Sequence, residues 1–259
     1  MAPSREQSRF YRSVIDTLRD ARVPFLVGGA FALTRHSVVR RATKDLDIFI
    51  RREDWPAVAR ALRDRHIYAR LLFPHWLGKA LNGRHTVDMI FASGNGQLPV
   101  TDAWFSRAVP ARVLGRDVGL CAPEDMIVSK AFVMERERFD GADVMHLLLA
   151  QARTLDWNAL CHNFHGHERV LLAYLVLFEY VYPHDAHLIP RRVIRRLLAA
   201  RNAPLLPAPK LCRGTLISRE QYLVDIRELG YADARLPPFG RMSPRERAIW
   251  TRAIRTPKS

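Results

Sequence analysis

Val27–Ile50 reads VGGAFALTRHSVVRRATKDLDIFI, and its two ends decide the fold. At the far end, DLDIFI has the alternating character of a strand. Residues i and i+2 share a strand face, so Asp45 and Asp47 project side by side while Leu46 and Ile48 face the other way. Two adjacent carboxylates repel each other, and a divalent cation resolves the conflict. Mg²⁺ takes a few carboxylates and completes its shell with water and phosphate oxygens. A second reading has Asp45 capping a turn and Asp47 paired with Arg41 or Lys44, and the Asp-Leu-Asp spacing alone leaves both open.

The near end bears on that choice. The apolar run FLV leads directly into Gly28-Gly29 and then into a short helical pattern. A glycine turn at a helix start lets backbone N–H groups approach a phosphate at the positive end of the helix dipole. A third acid, Asp88, lies in the apolar stretch HTVDMIF, which reads as another strand.

Outward from this segment, Ser4 to Arg22 spaces Phe10, Val14, Ile15 and Leu18 at helical intervals. Glu53 to Arg65 is a second helical pattern, IYARLLF a strand, and ARVLGRDVGL a hairpin turning at Leu114-Gly115. From Pro123 the pattern turns helical: EDMIVSKAFVMERERF, GADVMHLLLAQAR, DWNALCHNF, ERVLLAYLVLFEYVY and RRVIRRLLAARN. LLAYLVLFEYVY is apolar nearly all round and is expected to be a buried core helix. The segment RGTLISREQYLVDIRELGY is expected to form one C-terminal docked helix. These readings predict an α+β fold, an α/β N-terminal domain with a short mixed β-sheet over 1–121, a helical domain over 122–203 and a basic C-terminal extension over 204–259.

The chain has 259 residues with 41 Lys and Arg against 26 Asp and Glu, a formal charge of +15. Sixteen of the basic residues and only six acids fall between His184 and Ser259. A field of that sign attracts polyanions, so a nucleoside triphosphate and RNA are the expected partners. Surplus arginine also serves solubility. Three irregularly spaced cysteines give neither a disulfide framework nor a zinc ribbon. The longest apolar run is too short to span a bilayer, and the N-terminal segment lacks a secretory core, so a cytoplasmic protein without membrane contact is expected. Cys161 to Glu168, CHNFHGHE, reads as a polar loop between helices rather than as half of a zinc site.

The order apolar-Gly-Gly, RATKDLDIFI and VDMIF resembles the DNA polymerase β-type nucleotidyltransferase superfamily. Within it the chain looks most like minimal and abortive-infection-type enzymes, in which Arg-x-Thr-x-Asp-Leu/Ile-Asp is typical. The interval from Gly29 to Asp45 is longer than in polymerases, which points away from a polymerase. The resemblance implies Mg²⁺ or Mn²⁺ held by Asp45, Asp47 and Asp88, which would also be the catalytic acids. It implies nucleotide contacts from Gly28, Gly29, Thr43, Lys44 and Lys130, and transfer of a nucleoside monophosphate to an acceptor hydroxyl with release of pyrophosphate. The alternatives are a non-catalytic nucleotide or nucleic-acid binding module, and a protein acting through a partner chain in the manner of a toxin–antitoxin pair.

Overall fold

The computed structural model describes residues 3–39, 45–202 and 209–252. Arg41, Thr43 and Lys44 therefore lie outside the described residues. The fold is α+β, with a seven-stranded mixed sheet. The chain forms two compact units: 1–35, 40–122 and 241–259 make one, and 36–39 with 123–240 make the other. The stretch read as one basic extension is thus divided between the two at residue 241.

In the first unit, α1 (Arg5–Asp20) starts where the sequence provides a capping box. The Ser4 hydroxyl accepts from the Gln7 N–H, and the Gln7 side chain accepts from the Ser4 N–H. β1 (Leu26–Val27), α2 (Gly29–His36), β2 (Leu46–Phe49) and α3 (Trp55–Asp64) follow, then β3 (Tyr68–Phe73), β4 (Leu77–Asn82) and β5 (His85–Ile90). A short α4 (Asp102–Ser106) precedes the hairpin of β6 (Val109–Val113) and β7 (Arg116–Leu120). Leu114 and Gly115 both take positive φ, 50° and 81°, the conformation a two-residue hairpin turn requires.

The strand order is β3-β4-β5-β2-β1-β7-β6. β2 lies parallel to β5 and β1 parallel to β7, while the remaining neighbours are antiparallel. Leu46, Ile48 and Ile50 are fully buried with Val87, Met89 and Phe91 on one face of the sheet. Phe10, Val14, Ile15 and Leu18 of α1 and Trp55, Val58 and Leu62 of α3 supply the facing apolar surface. Phe10 stacks on His85, and Trp55 meets Phe91 edge-on. Burying each such side chain is worth about 1.5–3 kcal/mol, so this core fixes which face of β2 and β5 is left for polar groups. Arg116 clamps α1 to β7 through two hydrogen bonds to Asp16, at 2.7 and 2.8 Å.

The second unit contains α5 (Pro123–Ala131), α6 (Gly141–Gln151), α7 (Trp157–Asn163), α8 (Glu168–Val181), α9 (Arg191–Asn202) and α10 (Leu223–Arg227). Two short strands, β8 (Leu211–Cys212) and β9 (Ala232–Asp233), pair in parallel. Three expectations are corrected here. The helix read through EDMIVSKAFVMERERF stops at Ala131, because the chain reverses and Met134 pairs with Phe139 as an antiparallel bridge. α8 is buried along one face only, through Leu171, Leu172, Tyr174, Leu175 and Phe178, whereas Val176 and Tyr180 are exposed. The C-terminal helix contracts to the five residues of α10. Ser218 is drawn away by a 2.8 Å hydrogen bond to Glu135, and its oxygen accepts from the Gln221 N–H.

A fully buried ion pair closes this unit. The Arg235 guanidinium donates to both Asp233 oxygens, at 2.9 Å from Nε and 2.7 Å from Nη2, and Thr215 donates to the same carboxylate at 2.9 Å. Burial works to raise the Asp233 pKa, but these donors outweigh it and hold the carboxyl below its usual range.

Candidate functional site

The exposed-face residues of β2 and β5 are set by the alternation that buries Leu46, Ile48, Val87 and Met89. Asp47 and Asp88 are directly opposed in the parallel β2–β5 ladder, so their side chains rise from the same face on neighbouring strands. Asp45 immediately precedes β2 and is exposed. On β4, Lys79 is in register with Asp88, and its Nζ donates to Asp88 Oδ1 at 2.6 Å. Lys79, Asp88 and Asp47 thus form a row across three strands.

The two glycines meet this row. The Gly28 N–H donates to the Asp47 carbonyl at 2.9 Å, joining the end of β1 to β2. Gly29, with φ +54°, begins α2, and the Asp47 carboxylate lies directly against its α-carbon. A Cβ at Gly29 would stand 2.6 Å from Asp47 Cγ and collide with Oδ2. Only glycine meets both demands, the left-handed backbone and the close approach. The helix-opening turn and the second acid of the Asp-Leu-Asp pair are therefore one local structure.

Tyr11 of α1 reports the electrostatics. Its phenol is fully buried and its pKa is pushed up to about 12, first by burial. The hydrogen bond from Gln7, 2.9 Å to the hydroxyl, works in the opposite direction, while the negative charges of Asp45, Asp47 and Asp88 add to the rise. All three acids therefore act in the same direction on one phenol.

As ligands, these carboxylates present hard oxygen donors of the kind Mg²⁺ and Mn²⁺ select. Among the described residues, however, no three His, Cys, Asp or Glu side chains stand close enough to hold one metal ion together. Asp47 and Asp88 fit a divalent cation by chemistry and by shared face, with water and phosphate oxygens left to complete its shell. The Lys79 ammonium is bonded to one of these acids, Asp88.

Lys130 of α5 lies in the second unit and is engaged by two acids. Its Nζ is 2.7 Å from Asp143 and 3.1 Å from Asp140. Arg138 also donates to Asp140, and although burial opposes it, these cations hold that carboxyl below its ordinary range. Sequence reasoning missed Lys79 and Tyr11. Lys79 lies on a strand that was not read, yet Asn82-Gly83 marked it: β4 and β5 are joined by a two-residue loop, and Gly83 has φ +57°.

No family model matches the chain, and no curated protein matches it. Solved structures that are similar to it include nucleotidyltransferases and a nucleotidyltransferase-like protein. An antigenic nucleotidyltransferase-like protein from Paracoccidioides brasiliensis aligns at 14% identity over 75% of this chain and 99% of its own, with a TM-score of 0.46. The antibiotic-resistance factor ANT(2'')-Ia aligns at 15% identity over 70% of this chain and 98% of its own, with a TM-score of 0.41. For the lincosamide antibiotic adenylyltransferase LnuA the corresponding values are 13%, 57%, 98% and 0.39.

Proposed function

We propose that this protein transfers a nucleoside monophosphate from a nucleoside triphosphate to an acceptor hydroxyl, releasing pyrophosphate. The observation that carries the proposal is the contact between Asp47 and Gly29. It joins an in-register carboxylate pair, Asp47 and Asp88, to a glycine turn whose N–H groups open a helix. Acids and the backbone donors of a helix start suit the two halves of one ligand, a metal-bound polyphosphate.

In this account Asp45, Asp47 and Asp88 would hold Mg²⁺ or Mn²⁺, which when bound would neutralise charge on the departing pyrophosphate and favour ionisation of the attacking hydroxyl. The protein's own groups do the rest. Gly28 is not free for the phosphate contact expected of it, because it is buried against the Phe49 ring and its N–H is given to the Asp47 carbonyl. This leaves Gly29 at the start of α2 as the expected contact, and the β2–β5 ladder fixes the separation of Asp47 and Asp88. Asp88 would share the metal at the attacking hydroxyl and accept its proton. Thr43 and Lys44 precede Asp45 directly and are retained as nucleotide contacts. Lys130 is the costliest of the expected contacts, because giving its ammonium to a phosphate strips the counter-charge from Asp140 and Asp143.

RNA is the proposed acceptor. The support is charge: Arg191, Arg192, Arg195 and Arg196 of α9 are all exposed, within the strongly basic final third of the chain. One observation favours a second reading, a non-catalytic nucleotide-binding module, and it is the Lys79–Asp88 ion pair, which occupies an acid that catalysis needs.

Titration calorimetry with Mg²⁺ and each nucleoside triphosphate, followed by a transfer assay, separates the two. Asp45→Ala and Asp47→Ala are expected to abolish transfer with the unfolding midpoint unchanged. Full activity in both variants overturns the assignment, and metal-dependent binding without transfer to any acceptor selects the binding module.

A further inference from the structure

The row Lys79, Asp88, Asp47 leaves one cation seated where the proposed function needs another. Lys79 and Asp88 are register partners on antiparallel strands, so the ladder itself delivers the ammonium to the carboxylate. The 2.6 Å contact is that of a charge-assisted hydrogen bond. Both side chains are about a quarter exposed, Lys79 at 28% and Asp88 at 26%. The pair is dry enough to hold together and open enough for the ammonium to leave without stranding a buried charge.

We propose that Lys79 is a positioning residue that occupies Asp88 until a triphosphate arrives, so that metal and triphosphate bind as a unit and free metal binds poorly. This inference rests on the nucleotidyltransferase reading. A divalent cation that takes Asp88 as a ligand must displace the ammonium, and the displaced ammonium needs a new anion. A triphosphate brought in with the metal provides one within reach of the same lysine stem. Free metal offers no such exchange. Lys79 thus opposes the metal alone and favours the metal–nucleotide complex, a coupling that by linkage acts equally on both ligands.

The test uses the full chain and two variants, Lys79→Met, which keeps the apolar stem and removes the charge, and Lys79→Arg, which restores it. Mn²⁺ binding is followed by electron paramagnetic resonance, first with Mn²⁺ alone and then with preformed Mn²⁺ complexes of the α,β-methylene analogues of ATP and GTP. Removing a partly screened ion pair of this kind sets a change of about two- to fivefold. Lys79→Met is therefore expected to bind free Mn²⁺ about two- to fivefold more tightly than the parent and the Mn²⁺–nucleotide complexes more weakly, with Lys79→Arg near the parent in both. A merely structural lysine would shift both affinities in the same direction or neither. Unchanged or weakened binding of free Mn²⁺ in Lys79→Met, with binding of the Mn²⁺–nucleotide complex by the parent intact, overturns the role of Lys79 alone. Absence of all Mn²⁺ binding, with and without nucleotide, overturns both this inference and the nucleotidyltransferase reading beneath it.

Discussion

Gly29→Ala perturbs the contact on which the site is built. Gly29 has φ +54°, and a left-handed backbone costs an alanine about 1–2 kcal/mol relative to glycine. The new methyl would also stand 2.6 Å from Asp47 Cγ, whereas carbon atoms pack at about 3.5–4.0 Å, so the carboxylate must retreat by roughly 1 Å. A displacement of about 1 Å at a reacting centre costs on the order of 100-fold in rate. Gly115→Ala is the matched control: Gly115 has φ +81° in the β6–β7 turn, and nothing lies within 4 Å of its would-be Cβ. Both variants should lose about 1–2 kcal/mol in urea unfolding. Only Gly29→Ala should lose transfer, by about two orders of magnitude, as read from incorporation of α-labelled nucleotide. If Gly29→Ala loses the stability but keeps the rate of Gly115→Ala, the Asp47 carboxylate does not need the place the structure gives it, and the reasoning fails.

Other expectations concern stability and the proposed acceptor. Arg235→Ala leaves the Asp233 carboxylate buried without its partner and should lower the unfolding free energy by about 3–5 kcal/mol; a loss below about 1 kcal/mol would show the pair to be dispensable. Asp16, Asp140, Glu168 and Asp233 all have carboxyl pKa values held below their ordinary range. Groups shifted in that direction contribute stability that is complete above their unfolded pKa, about 4, and is lost as pH falls through the folded values. Thermal midpoints should therefore hold steady from neutral pH to about 5 and drop below about 4, with Asp233→Asn showing a shallower drop than the parent. RNA binding should weaken steeply with salt, and replacing Arg191, Arg192, Arg195 and Arg196 together by Gln should flatten that dependence; an unchanged slope would remove α9 from the interface.

Much of this architecture was legible before the coordinates because burial imposes a period. DLDIFI and HTVDMIF alternate clearly, and the structure places Leu46, Ile48, Val87 and Met89 in the core with Asp47 and Asp88 on the other face. Ser4 and Gln7 announced the start of α1, and Leu114-Gly115 the β6–β7 turn. β4 was missed because LGKALN carries no β-branched residue, and its strand character comes from pairing with β3 and β5 on either side. Missing that strand hid Lys79, the cation bonded to Asp88. The early stop of α5 and the shortness of α10 were invisible for a related reason: a bridge from Met134 to Phe139 and the capture of Ser218 by Glu135 are tertiary events that override helical spacing. α8 misled through composition, since hydropathy alone does not say which of Val176, Leu175 and Tyr180 will find a neighbour.

The most direct test of the central claim follows the fate of individual phosphates. The purified protein is incubated with Mg²⁺, total cellular RNA, and each nucleoside triphosphate labelled in parallel at the α or the γ phosphorus, with Asp47→Asn as the control. The account predicts label on RNA from the α position only, absent in the control, with the γ label recovered as pyrophosphate. Transfer of the γ label, or α-label transfer that survives in Asp47→Asn, would contradict it.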